Sequence, residues 1–281
     1  MPETPDFFVR FWGVRGSIAC PGPGTMRYGG NTSCLEVNCD GRLLVLDAGT
    51  GIHALGTDIV RNRPHDGPFT ADLFFTHTHF DHICGFPFFA PAFAAENRLS
   101  IWAGHLLPER TVREVLIYLM MDPLFPIPID TMHAELDFHD FVAGEALQPH
   151  DGVVVRTAPL NHPNRATGYR IEYGGRSICY VTDTEHVPGK PDRNILGLIE
   201  GADLFIYDST YTDDEFADHV EWGHSTWQEG VRLADAAKTK TLVVFHHNPD
   251  HDDDFMDRIA GEAEKARAGT LVAREGMVLT P

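Results

Sequence analysis

Residues 71–82, ADLFFTHTHFDH, run from a short apolar stretch straight into three histidines and an aspartate. The apolar part is too short for a helix and has the aromatic content of a buried strand. His77, His79, Asp81 and His82 then fall on a loop at that strand's C-terminal edge, where α/β folds place their sites. His77 and His79 are two apart, so an extended backbone points both the same way. Asp81 and His82 continue the turn and can face a second ion. Imidazoles and a carboxylate are the ligands of a borderline divalent ion such as zinc. A full H-x-H-x-D-H string after a strand is far more specific than a lone pair of histidines.

Further strands are predicted at 7–13, 33–39, 42–48, 136–142, 153–158, 168–173, 176–182, 202–208 and 241–245. Helices are predicted at 52–62, 107–121, 224–237 and 252–267. Three prolines in DPLFPIPID (122–130) forbid both helix and central strand there. The surrounding segment, about 104–135, reads as an inserted, lid-like excursion or a dimer surface. Strands come in two sets, each followed by helices, with no linker or composition break. The expectation is an α/β chain folded as one domain over 1–281, two sheets sandwiched between helices.

With 41 acidic and 22 basic residues, the net charge is −19. Such a surface repels polyanions and disfavours a broad nucleic-acid footprint, without excluding nucleic acid. A small anion remains possible where a bound cation reverses the local sign. Five cysteines with no C-x-x-C pair argue against a disulfide framework or zinc ribbon. The N-terminal residues lack the pattern of a signal peptide, and no apolar run approaches a membrane span. A soluble, cytoplasmic setting is expected.

H-T-H-F-D-H resembles the signature of the metallo-β-lactamase superfamily, in the branch that includes RNase Z and the phosphoribosyl cyclic phosphate phosphodiesterases. The resemblance spans nearly the whole chain and implies the four-layer αββα sandwich, two mixed sheets flanked by helices. LLVLDAGTG (43–51) matches an early motif whose aspartate, Asp47, supports the histidine loop. PLNHP (159–163) supplies His162, and YVTDTE (180–185) supplies Asp183. ADLFIYDSTY (202–211) carries Asp208 where RNase Z-like chains usually have a glutamate preceded by histidine; here Tyr207 precedes. WGHSTWQEG (222–230) matches the helix start that places His224 near the reacting phosphate. After the strand TLVVF, His246 matches the last ligand position, with His247 one register away.

The resemblance implies two divalent ions, zinc or manganese. His77, His79 and His162 would bind one; Asp81, His82 and His246 would bind the other. Asp183 and a hydroxide would bridge them, making a binuclear phosphodiesterase. Asp81, His224 and Asp208 are the expected catalytic residues, and Asp81 could orient the nucleophile. Arg15, Arg27, His224 and Ser225 are the candidate substrate contacts. The acidic charge points to a small cyclic phosphate, either a cyclic nucleotide or a ribose cyclic phosphate. Three alternatives stay open: an RNA 3′-end endonuclease, a lactonase or β-lactamase, and a non-catalytic metal-dependent sensor. Cys84, His133, His139 and His186 carry no motif requirement. The residues around 251–254 read as a helix start.

Overall fold

The computed structural model describes residues 6–62 and 67–281. One sheet holds β1 (Phe7–Gly13), β2 (Cys34–Cys39), β3 (Arg42–Leu46), β4 (Thr70–Phe75), β5 (Arg98–Ala103) and β6 (Glu135–Asp140). The second holds β7 (Ala146–His150), β8 (Val153–Leu160), β9 (Ala166–Tyr173), β10 (Arg176–Val181), β11 (Leu204–Asp208), β12 (Thr241–Phe245) and β13 (Leu271–Val272). The last strand, β14 (Val278–Leu279), returns to the first sheet beside β1. The sheet orders are β14-β1-β2-β3-β4-β5-β6 and β13-β12-β11-β10-β9-β8-β7.

The helices are α1 (Gly51–Asn62), α2 (Phe80–Ile83), α3 (Val112–Leu119), α4 (Arg193–Ile199), α5 (Asp213–Phe216), α6 (Trp227–Ala237) and α7 (Asp253–Ala266). Between the sheets, Val9, Phe11, Leu35, Val37, Phe74, Tyr169, Tyr180, Ile206 and Phe245 form one buried core. On the outer face of the first sheet, α1 and α3 bury Ile52, Leu55, Val112 and Leu116 against Val45, Leu73 and Ile101. On the outer face of the second, α4 and α6 bury Ile195, Leu198 and Leu233 against Val181 and Phe205. The α7 helix covers Val244 and Val272 with Met256 and Ile259. These are the four layers of an αββα sandwich.

Local chemistry explains where elements start. The α3 helix begins at Val112, five residues later than its periodicity suggests, because Pro108 interrupts the run and Thr111 with Glu114 forms a capping box. Its buried face, with Met120, Ile129 and Met132, packs into the core of the first sheet. Thr226 caps α6 by accepting from the Glu229 N–H, so His224 and Ser225 lie ahead of that helix. Asp252 caps α7 by accepting from the Phe255 N–H.

Both sheets are mixed. In the first, β3, β4, β5 and β6 run parallel; in the second, β10, β11, β12 and β13 do. Parallel strands end on the same edge, so β3, β4, β10, β11 and β12 deliver their following residues to common ground.

Candidate metal centre

Asp47 and His246 are the first residues beyond β3 and β12, and Asp183 is the second beyond β10. All three sit in the left-handed region, with φ of 61°, 61° and 57°. For side-chain-bearing residues this costs of order 1–3 kcal/mol each and persists only where the surroundings enforce it. Each fully buried Phe or Leu behind these turns contributes about 1.5–3 kcal/mol, so the core sustains them. The turn swings each side chain away from the strand direction and into the edge between the sheets. From β4 the chain continues through His77 and His79 into α2, whose Asp81 and His82 are buried. The β8–β9 turn supplies His162.

The ligand-bearing atoms of His77, His79 and His162 lie within 4.8 Å of one another, and so do those of Asp81, His82 and His246. Asp183 stands between the two triads. Its Oδ1 is 3.6 Å from His77 Nε2 and 3.7 Å from His162 Nε2. Its Oδ2 is 3.2 Å from His82 Nε2 and 3.3 Å from His246 Nε2. One carboxylate thus offers an oxygen to each triad.

The outward nitrogens of the imidazoles are held by the protein. His162 Nδ1 donates to the Gly223 carbonyl at 2.7 Å. His82 Nδ1 donates to Asp47 Oδ2 at 2.9 Å, a carboxylate that also accepts from Tyr180 and Thr76. The Thr76 hydroxyl donates to Asp47, so it accepts from His77 Nδ1 at 3.1 Å. Likewise Thr210 Oγ1 donates to Asp208 and accepts from His246 Nδ1 at 3.0 Å. His79 Nε2 donates to Asn164 Oδ1 at 3.2 Å. In these neutral tautomers every inward nitrogen carries a lone pair. His162 Nε2 and His79 Nδ1 then face each other at 3.0 Å, and His82 Nε2 faces His246 Nε2 at 3.3 Å. His77 Nε2 is buried with no hydrogen-bond partner. Opposed lone pairs and acidic oxygens repel unless a cation lies among them, so the residues fit a divalent metal.

The titration directions agree. Burial, reinforced by the His82 charge, holds His77 well below the ordinary histidine value. Burial also lowers His162. Burial opposes a charged His82, but the carboxylates of Asp183, Asp81 and Asp47 outweigh it and raise that group well above the ordinary value. Burial would raise Asp183 as well, yet His246, His82 and His77 hold it well below the carboxylate range. The carboxylates demand positive charge at the centre, and a proton or a metal ion supplies it. Beside the centre, His224 Nδ1 donates to Asp208 Oδ2 at 3.1 Å. Burial opposes charge there too, but Asp208, with help from Asp183 and Asp81, raises His224 to about 9.

Residues 42–247 match the family described as the beta-lactamase superfamily domain. The chain belongs to the metallo-β-lactamase superfamily. It is similar to ribonuclease Z of Parabacteroides distasonis, 29% identical over 177 residues, covering 63% of this chain and 51% of that protein. That match spans about half of the relative's length. Ribonuclease Z of Myxococcus xanthus is 24% identical over 295 residues, covering 89% of this chain and 92% of its own. A solved diphosphatase from the PhnP family shares the fold, with a TM-score of 0.70, 20% identity and 98% of each chain covered.

Within this metallo-β-lactamase fold, His77, His79, Asp81, His82, His162, Asp183, His246, His224 and Asp208 all meet at the centre. His247 does not. Its Nε2 donates to the Ala273 carbonyl at 2.8 Å, and its backbone pairs with Val14. Three of the expected substrate contacts are engaged with other parts of the protein. Arg15 is fully buried and donates to the carbonyls of Gly29, Asn248 and His251 at 2.7–3.0 Å, tying two loops together. Arg27 points away to Asp254 and Asp257 on α7. Ser225 is buried between the Tyr207 hydroxyl and His186 Nδ1, both at 2.8 Å. Sequence reasoning missed Thr76, Thr210, Asn164, Tyr180 and Gly223, which fix the imidazole tautomers. It also missed Gly16, where a Cβ would sit 2.4 Å from the His246 ring.

Proposed function

We propose that the centre holds two divalent ions and that the chain hydrolyses a small cyclic phosphate diester. The observation carrying this is Asp183, whose two oxygens face two separate triads. His77, His79 and His162 would hold one ion, and Asp81, His82 and His246 the other. Nitrogen and oxygen donors accept zinc or manganese. Such a pair, when bound, lowers the pKa of a water and offsets charge on phosphate oxygens. The Ser17 N–H donates to Asp81 Oδ2 at 2.8 Å, which fixes the carboxylate that would orient the attacking water. Asp208 keeps His224 charged and turned by its Nδ1, leaving Nε2 to stabilise phosphate charge or protonate the leaving oxygen.

The diester linkage is supported by the ribonuclease Z relatives, and a small phosphate compound by the diphosphatase. The net charge of −19 favours a small substrate over RNA. At the centre itself, four positive charges would outweigh Asp81 and Asp183. RNA 3′-end cleavage is the second reading, favoured by the relatives' names.

Metal-loaded protein tested against 2′,3′- and 3′,5′-cyclic nucleotides, ribose 1,2-cyclic phosphate and a tRNA precursor separates the two. Turnover of a cyclic phosphate, abolished by His79→Ala and Asp183→Ala, is expected. Cleavage of the precursor at catalytic enzyme levels, with every cyclic phosphate inert, overturns the small-substrate assignment.

A further inference from the structure

Three large apolar side chains stand exposed next in sequence to residues of the centre or to their hydrogen-bond partners: Phe80 at 70%, Ile18 at 64% and Trp222 at 61%. Scattered exposed apolar residues are normal on a protein surface. These differ in how they are tied to the metal-ligand candidates. Phe80 lies between His79 and Asp81 and opens α2 while Asp81 and His82 are buried. Ile18 follows Ser17, whose N–H donates to Asp81. Trp222 precedes Gly223, whose carbonyl accepts from His162 Nδ1 and whose N–H donates to Glu185.

Gly223 has a φ of +84°, and a Cβ there would lie 2.4 Å from His162 Nδ1, so the position beside Trp222 is pinned against the imidazole. Rings also link Trp222 to the centre. His224 meets Tyr211 edge-on at 6.2 Å, Tyr211 stacks on His219 at 4.2 Å, and His219 meets Trp222 edge-on at 5.0 Å. The backbone of Trp222 is therefore held while its ring stays open to solvent.

We propose that Trp222 and Phe80 form a stacking platform for a planar aromatic group on the phosphate ester, which makes a nucleotide the substrate class. This rests on the phosphodiesterase assignment above. A ribose phosphate without a base offers these rings nothing to cover, whereas every nucleobase presents a π-face. The platform would hold the base while the phosphate reaches the imidazole cluster.

The test titrates metal-loaded protein with 5′-AMP and with ribose 5-phosphate by calorimetry, following tryptophan fluorescence alongside. Wild type should bind 5′-AMP on the order of tenfold more tightly than ribose 5-phosphate. Trp222→Ala should remove most of that preference, and Trp222→Phe should keep it while losing the fluorescence response. Equal affinity for the two ligands in wild type overturns the platform. So does a preference that survives both Trp222→Ala and Phe80→Ala. Hydrolysis of bis(p-nitrophenyl) phosphate is measured separately. A base preference without hydrolysis sustains the platform and refutes the phosphodiesterase assignment. Hydrolysis without a base preference does the reverse.

Discussion

Replacing Asp47 by asparagine should disarm one metal site while leaving the chain folded. Asp47 Oδ1 accepts from the Thr76 N–H at 2.8 Å. Its Oδ2 accepts from His82 Nδ1 and from the Tyr180 hydroxyl, both at 2.9 Å. An asparagine can keep its oxygen toward Thr76, but its NH2 then faces two donors. The conflict relaxes if His82 moves its proton to Nε2, so that Nδ1 accepts from the new amide. That proton then points at Asp81 and Asp183, each 3.2 Å away, and the lone pair for the metal is gone. Two hydrogen bonds to a charged acceptor are lost, each worth about 1.5–3 kcal/mol, and one neutral bond is regained. The net destabilisation should be about 2–4 kcal/mol, read from urea denaturation of metal-free protein. Affinity at the Asp81–His82–His246 position should fall ~10–100-fold, read by competition with a chromogenic chelator. Wild-type affinity at both positions in Asp47→Asn would refute the tautomer argument.

Gly223→Ala puts a Cβ 2.4 Å from His162 Nδ1 at a left-handed backbone position. It should cost about 1–3 kcal/mol and weaken retention of the ion that His77, His79 and His162 would hold, measured as metal content after dialysis. Arg15→Met leaves the Gly29, Asn248 and His251 carbonyls short of a donor and should lower stability by about 3 kcal/mol or more. A change in unfolding free energy under about 0.5 kcal/mol, the range of ordinary surface substitutions, would contradict that structural role. In metal-free protein His224 is raised from 6.5 to about 9. A histidine raised on folding contributes stability that is full below its unfolded value and lost as pH climbs through the folded one. The stability difference between wild type and His224→Gln should therefore shrink by about 3 kcal/mol from pH 6.5 to beyond 9. Urea midpoints across that range check it, and a constant difference contradicts it.

Strands whose ends feed the centre were legible because each couples a buried apolar run to a histidine or aspartate. The elements missed have weaker signals. In β5 the apolar residues alternate with Arg98 and Ser100, and Trp102 is only half-buried. The β7 strand carries Pro149, tolerated there because it lies at the edge of its sheet. The α4 helix has only seven residues and includes Gly197. The burial of Arg15 is illegible in the sequence because two of its three carbonyl partners lie more than two hundred positions away, which no local pattern reports. Thr76, Thr210 and the Gly223 carbonyl carry no motif either, although their partners lie nearer in the chain. Hydroxyls and carbonyls are everywhere in a sequence, and only folding selects those that orient an imidazole. The choice between His246 and His247 turned on one backbone angle. A φ of 61° at His246 sends that ring inward and leaves His247 to pair with Val14.

The most direct measurement follows the rate of bis(p-nitrophenyl) phosphate hydrolysis against the number of divalent ions bound per chain. Two ions sharing Asp183 require the rate to climb to a plateau at two equivalents, and to vanish in Asp183→Ala. A plateau at one ion, or undiminished hydrolysis by Asp183→Ala, would contradict a paired-metal phosphodiesterase at this centre.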